Sequence, residues 1–196
     1  GDITSNFNIF FDDKNNIKNY EIDGFVKNLN LKFKNFNFEK SSFIFLLNNA
    51  GGEIKNLRTS YKKFAVNSGE IAILNDKFLT IKGNIKSDFV LNNSDLSKFL
   101  NFEKKLFNNL VVNGKLLNKF NIKFDQTLKI EEYNLNILSD LNNTNAVFSK
   151  SYKNNFLQSD IKKLSLKDTK LEIQYNSKNN NYIKSAGFYS LNDKEY

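Results

Sequence analysis

The apolar residues of segment 17–33 recur at every second position, and this alternation restricts the possible folds more than any other feature of the chain. Tyr20, Ile22 and Val26 share one phase, with Gly24 between them in the same phase. The series slips by one residue near Asn28 and then resumes at Leu29, Leu31 and Phe33. Because a helix repeats every 3.6 residues and a strand every two, the pattern predicts a β-strand with one apolar face and a break.

A short kernel of this strand returns twice along the chain. Its form is an apolar residue, any residue, glycine, any residue and a second apolar residue, and it occupies 22–26, 81–85 and 112–116. The recurrence predicts that the chain builds a repetitive sheet around these copies, which we call the glycine kernels.

Most of the remaining chain alternates in the same way, with polar clusters between the alternating segments. The clusters at 12–16, 48–52 and 75–77 predict turns, and so does the cluster at 140–145. The continuous apolar run at 43–47 predicts a strand with both faces at least partly covered. The expected fold class is therefore mainly β, as a curled and mostly antiparallel repetitive sheet, with a closed β-sandwich as the alternative.

One stretch departs from the period of two and predicts the only substantial helix. Apolar residues after Ser94 are spaced three and four apart, which is typical of one helix face. We expect a helix over 95–107, with Ser94 as its N-cap and Asp95 in its first turn. The helix is interpreted as a lid across a sheet end rather than as a helix lying on a membrane.

Length and composition suit a single β-rich segment of a larger protein. The chain has 196 residues, 40% of them hydrophobic, and no methionine, so we expect a piece of a longer chain spanning 1–196. A sub-boundary is possible near the helix at 94–108. No run approaches 18 consecutive apolar residues, so any membrane anchor would lie outside this segment.

The residue types needed for most catalytic chemistry are missing. Histidine and cysteine are absent, which excludes imidazole triads, thiolate metal ligands and disulfides. Of the remaining carboxylates, Glu21 and Asp23 share one strand face, whereas Asp12 with Asp13 and Glu131 with Glu132 are sequence neighbours that diverge on a strand. We interpret them as solvated charges, and expect no enzyme activity, no metal and no cofactor.

The positive charge does not indicate a nucleic-acid partner. The chain carries 29 basic and 21 acidic residues, a formal net charge of +8, but Arg58 is its single arginine. The lysines are scattered along strands, and they accompany abundant Asn, Ile and Phe, which are all encoded by A/T-rich codons. Base reading depends heavily on arginine, so we expect no nucleic-acid partner.

Weak, non-specific binding to polyanions is accordingly the expected result of a titration against DNA. Scattered lysines offer no concentrated phosphate track, so the affinity should change little with salt. The measurement is a fluorescence titration with duplex and single-stranded DNA. Sub-micromolar affinity at physiological salt would contradict this and favour a third hypothesis, a basic β-domain that binds polyanions.

The glycine kernels, together with segment 94–100 leading to the kernel at 112–116, resemble the AsmA-like superfamily, and within it the TamB and YhdP type. In such proteins a D-L-x-x-L-L segment commonly precedes an L-x-G-x-L strand. The resemblance implies a periplasmic segment of a Gram-negative cell envelope, held to the inner membrane by an anchor outside this fragment. It also implies flanking repeats of the same chain as partners, and an apolar β-sheet groove that carries phospholipid acyl chains toward the outer membrane.

Fourteen apolar residues are expected to form the groove face that contacts lipid: Ile22, Val26, Phe43, Phe45, Ile71, Ile73, Ile81, Ile85, Ile122, Phe124, Leu135, Ile137, Leu171 and Ile173. The alternative is that the same side chains form an ordinary sandwich core. The chain would then be a structural or adhesive β-repeat of a secreted or surface protein, without a ligand.

Overall fold

The computed structural model describes residues 1–100, 106–154, 159–178 and 181–195. Within these ranges the chain forms strands and one helix, in the order β1 (Asp2–Phe11), β2 (Ile17–Phe33), β3 (Phe36–Asn48), β4 (Gly51–Tyr61), β5 (Phe64–Asn75), β6 (Leu79–Asn92), α1 (Asn93–Leu100), β7 (Phe107–Phe124), β8 (Ile130–Asn154), β9 (Ser159–Asn176), β10 (Tyr182–Leu191) and β11 (Lys194–Glu195).

The strands form one sheet in which each strand lies beside its neighbours in the sequence. The order runs from β1 to β11 without a crossover, and the registers of β1 to β5 are antiparallel. The predicted mainly β, antiparallel fold class with one short helix is confirmed. Among the described residues, no helix is long and apolar enough to cross a membrane.

Several strands run further than the sequence pattern predicts. The predicted turn at 140–145 is wrong, because β8 continues through it from Ile130 to Asn154. Asn143 has a left-handed φ of 55° inside this strand, and the following Thr144 is buried. A residue in this conformation makes a β-bulge, which bends a strand without ending it. The polar cluster therefore marks a bulge.

A row of such bulges crosses β2, β3 and β4. Asn28, Lys40 and Asn56 have φ values of 51°, 52° and 57°, and the β2–β3 register shifts between Val26 and Leu31. The predicted slip near Asn28 is thus confirmed. A bulge inserts one extra residue and so shifts the alternation by one position. The apolar residues before and after the bulge therefore point to the same face of the sheet, although their sequence phase differs.

Hydroxyl groups join the strands beside this row. Ser41 is 1% exposed, and its Oγ lies 2.8 Å from the Oγ1 of Thr59, which is also buried. The Thr59 hydroxyl also lies 3.2 Å from the Glu39 carbonyl oxygen, to which it can donate. The backbone N–H of Asn28 donates to the Ser42 hydroxyl at 3.0 Å. These hydrogen bonds satisfy polar groups that have no backbone partner where the bulges interrupt the hydrogen-bond ladder between the strands.

Each glycine kernel is covered by a phenylalanine ring of a neighbouring strand. Gly24 faces Phe45, and a Cβ atom at Gly24 would lie 2.8 Å from the Cζ atom of that ring. The rings of Phe120 and Phe89 approach Gly83 and Gly114 in the same way. A cross-strand aromatic ring over glycine stabilises a sheet where the glycine has no side chain to pack. The glycine of each kernel leaves space for a phenylalanine ring of the neighbouring strand, and this explains why the kernel recurs.

The helix begins earlier than predicted. Asn92, and not Ser94, is the N-cap: its Oδ1 accepts the Asp95 N–H at 3.0 Å, while the Asp95 carboxylate accepts the Asn92 N–H at 3.2 Å. This reciprocal pair is a capping box. The predicted end at Phe107 is also wrong, since Phe107 begins β7 and its ring lies 5.0 Å from that of Phe148. Residues 101–105 and the side chains of 97–100 lie outside the described part, so the lid role stays a prediction.

The chain clusters into two compact units, each assembled from separate segments. Unit 1 contains 1–87, 117–137 and 173–182, and unit 2 contains 88–116, 138–172 and 183–196. Strands β1 to β5 belong entirely to unit 1.

The two faces of segment 43–47 differ in exposure. Phe43, Phe45 and Leu47 are half-buried on one face, and Ile44 and Leu46 are 49% and 40% exposed on the other, so both faces are partly covered but to different extents.

Candidate functional site

The registers of β1 to β5 bring apolar side chains from all five strands onto one face of unit 1. Residues directly opposite one another in antiparallel strands point to the same side of the sheet. Three rows across the strands follow from the pairing: Phe7, Ile22, Leu47, Gly52 and Ile73; Ser5, Gly24, Phe45, Ile54 and Ile71; and Ile3, Val26 and Phe43. We call this surface the apolar face. Ser5 is the one polar residue in these rows.

The other side of the same strands is mixed. One row contains Asn6, Asp23, Leu46, Glu53 and Ala72. The Asn6 side chain donates to the Asp23 carboxylate at 3.1 Å, and the Glu53 carboxylate pairs with a lysine ammonium at 2.6 Å. The alternation therefore separates a nearly uniform apolar surface from a surface that water can cover.

Close contacts extend the apolar face onto β6 and β7. A Cβ atom at Gly69, which has the same phase as Ile71, would lie 3.5 Å from the Ile85 Cγ1 atom. The Phe120 ring lies over Gly83, two residues before Ile85. Ile81 shares the phase of Gly83, and Ile122 and Phe124 share that of Phe120, so strand geometry places these side chains on the same side.

A stacked tyrosine pair joins β8 to β9 in unit 1. The Tyr133 and Tyr175 rings lie 5.3 Å apart, and the hydrogen bond between their side chains raises the pKa of Tyr133. Leu135 and Ile137 share the phase of Tyr133, and Ile173 shares that of Tyr175. The predicted residues on these two strands therefore lie on one side of the sheet.

A polar cleft of about 420 Å³ is lined mostly by residues that alternate with the predicted set, and also by Tyr133, which shares the phase of Leu135. Lys82, Lys123 and Asn134 are all in its wall. The Lys123 ammonium lies 3.0 Å from the Glu131 carboxylate and 4.0 Å from the centre of the Phe78 ring. Polar neighbours of the predicted residues Ile81, Ile122 and Leu135 therefore gather in this cleft.

Thirteen of the fourteen predicted residues are half-buried, and Val26 is buried. Val26 is 6% exposed, and the other thirteen lie between buried and exposed. Thirteen of the fourteen belong to unit 1, and Leu171 belongs to unit 2. A closed core would bury such side chains fully, because water is excluded between packed layers. Apart from Val26, these side chains therefore keep part of their surface in contact with solvent.

The sequence interpretation missed part of this surface. Ile3, Phe7, Leu47 and Ile54 occupy the same rows as the predicted residues, and Ile3 and Phe7 are 60% and 59% exposed. Their alternation was visible, but the strand pairing that assigns them to this face was not. They enlarge the apolar face up to the β1 edge.

The carboxylates make contacts that shape turns and ion pairs. The Asp12 carboxylate accepts the N–H groups of Asn16 and Lys14, each at 2.8 Å, and these bonds, with that of Asn16 foremost, lower its pKa. The Lys178 ammonium lies 2.8 Å from the Glu132 carboxylate and lowers the pKa of Glu132. No group of three or more potential metal ligands occurs within the described ranges.

Comparison of the chain with protein-family models, with curated proteins and with solved structures gave no match.

Proposed function

We propose that this chain is a segment of a lipid conduit, in which the apolar face carries the acyl chains of phospholipids. The observation that supports this best is the half-exposure of a face to which up to five neighbouring strands contribute. An apolar surface of this extent, bordered by polar residues, is typical of a binding surface rather than of a solvated one.

Acyl chains suit this face because they can take the place of a missing protein layer. Each buried CH₂ group contributes about 0.8 kcal/mol, so a lipid chain gains by lying along the rows. The rows present Ile, Val, Leu and Phe side chains with a single serine, so an acyl chain meets almost no unpaired polar group. In this proposal the segment works in the periplasm between an inner-membrane anchor and the outer membrane, with flanking repeats continuing the sheet.

The two edges of the sheet are compatible with such continuation. All ten residues of β1 are exposed, and β10 pairs with β11 through only two residue pairs. An exposed strand edge presents unpaired N–H and C=O groups that another strand can bind. A strand from a flanking repeat that pairs with β1 would extend the apolar face of unit 1.

Photo-crosslinking tests the proposal directly. A photoreactive residue is placed at Ile81, Ile122 or Leu135, and the protein is mixed with phospholipid vesicles. The matched controls are the residues on the other side of the same strands, Lys82, Lys123 and Asn134. Because successive side chains of a strand point to opposite faces, we expect lipid adducts at the first set alone.

Equal labelling of both sets would indicate non-specific contact and contradict the proposal. No labelling at either set would indicate that the face is sealed in solution. That result would favour the alternative, a structural or adhesive β-repeat without a ligand.

A further inference from the structure

Five aromatic side chains meet on one face at the tips of two neighbouring hairpins in unit 1. Strands β2 and β3 are joined by the two residues 34–35, and β4 and β5 by 62–63. Phe33 pairs with Phe36 across the first turn, and Tyr61 with Phe64 across the second. We call Phe33, Phe36, Phe38, Tyr61 and Phe64 the aromatic tip.

Within the aromatic tip, the Tyr61 ring of one hairpin contacts the Phe36 and Phe38 rings of the other. The Tyr61 ring centre lies 5.7 Å from that of Phe36 and 5.4 Å from that of Phe38. Phe33 and Phe36 nevertheless remain 64% and 46% exposed. The contacts hold the cluster in place, and its outer side presents apolar rings to the surroundings.

The same tip is strongly basic. Segments 31–40 and 58–66 carry six basic residues and one acidic residue, which are Lys32, Lys34, Lys40, Arg58, Lys62, Lys63 and Glu39. The Lys34 and Lys62 ammonium groups lie 5.7 Å and 5.2 Å from the ring centres of Phe33 and Tyr61. Aromatic rings and cations therefore occupy the same place, as cation–π pairs.

The turns at the opposite ends of these strands lack this excess of basic residues. The turns there include 12–16 and 76–78, which together carry three aspartates and two lysines. Phe11 beside the first of these turns is 58% exposed, so exposed rings alone occur at both ends. Of the two ends of these strands, the aromatic tip is the one at which an excess of positive charge lies beside exposed rings.

We infer that the aromatic tip docks onto the surface of an anionic lipid bilayer. Aromatic side chains suit the boundary between headgroups and acyl chains, and lysines near an anionic surface are attracted to it. The positive charges and the exposed rings lie together at one end of the strands, and the surface of an anionic bilayer complements both. The inference goes beyond the proposed conduit and does not depend on it, because docking needs only the tip.

The test uses the absence of tryptophan from the chain. A Phe33→Trp variant places a single tryptophan in the aromatic tip, and Phe11→Trp is the matched control at the other end, with similar exposure. Each is mixed with vesicles of phosphatidylcholine and phosphatidylglycerol in equal parts. We expect a blue-shifted emission, and quenching by brominated lipid, for Phe33→Trp alone.

A second variant tests the charges. Lys34→Asn with Lys62→Asn, added to Phe33→Trp, removes two charges, and Asn tolerates the left-handed φ values of 51° and 54° at these positions. We expect vesicle binding to weaken about 25-fold, from the roughly fivefold effect of each lysine near an anionic surface. High salt should weaken the binding of the parent variant as well.

Three results would overturn the inference: no shift for Phe33→Trp, an equal shift for Phe11→Trp, or tighter binding of Phe33→Trp to single-stranded DNA than to vesicles. The last result would assign the tip to nucleic acid, since bases stack on exposed rings. If docking fails but lipid adducts still form at Ile81, the docking inference is wrong and the proposed conduit is not contradicted.

Discussion

Replacing Gly24 by valine should destabilise unit 1 by about 3 kcal/mol. The Cβ atom would collide with the Thr4 carbonyl oxygen of β1 and would lie 2.8 Å from the Phe45 ring. The ring can turn away, but the carbonyl is backbone and moves only if β1 separates from β2. Urea unfolding followed by circular dichroism measures the loss of stability.

The matched control for this prediction is Ser5→Val. Ser5 is the register partner of Gly24 on the same face and is exposed, so it can accept a larger side chain without a collision. It should unfold close to the parent protein. If Gly24→Val is as stable as Ser5→Val, the close approach of β1 at this kernel is wrong, and with it our explanation of why the kernel needs glycine.

Replacing Ile122 by aspartate should abolish lipid adducts while costing about 2 kcal/mol of stability. The Ile122 side chain is half-buried, so a carboxylate at this site can keep contact with water when no lipid is present. It would still place a charge where an acyl chain has to lie, which strongly disfavours lipid. The measurements are thermal unfolding and the yield of lipid adducts from a photoreactive residue at Ile81.

Asn121→Asp is the control, because it adds the same charge one residue away on the polar cleft. It should leave both the adduct yield and the stability close to those of the parent. A protein that fails to fold with Ile122→Asp would indicate a sealed core and favour the structural-repeat alternative. Unchanged adducts with Ile122→Asp would show that lipid does not pass this position.

The local pattern of the sequence predicts the strands because side-chain alternation is a property of neighbouring residues. The turn at 12–16 lies where expected, and the slip near Asn28 corresponds to a bulge. The polar run at 140–145 shows the limit of such reasoning. Asparagine and aspartate favour turns and bulges alike, and only pairing with the adjacent strands decides between them.

Local sequence is likewise insufficient to predict where the helix begins and ends. Its existence follows from apolar spacing, but Asn92 and Ser94 are both suitable N-cap residues, and the reciprocal bonds between Asn92 and Asp95 select one of them. Phe107 fits a helical pattern and nevertheless belongs to β7, where it packs on Phe148. Tertiary contact overrides local preference at these positions.

The sequence by itself determined that this chain builds strands with one apolar side, because a period of two is that of a β-strand. Which strands share that side was decided by the tertiary structure, since register joins residues such as Phe7, Ile22 and Ile73 that lie far apart in the sequence. The structure also decided that the apolar face stays half-exposed. Burial depends on whether a second layer covers a strand, and alternation is the same in both cases.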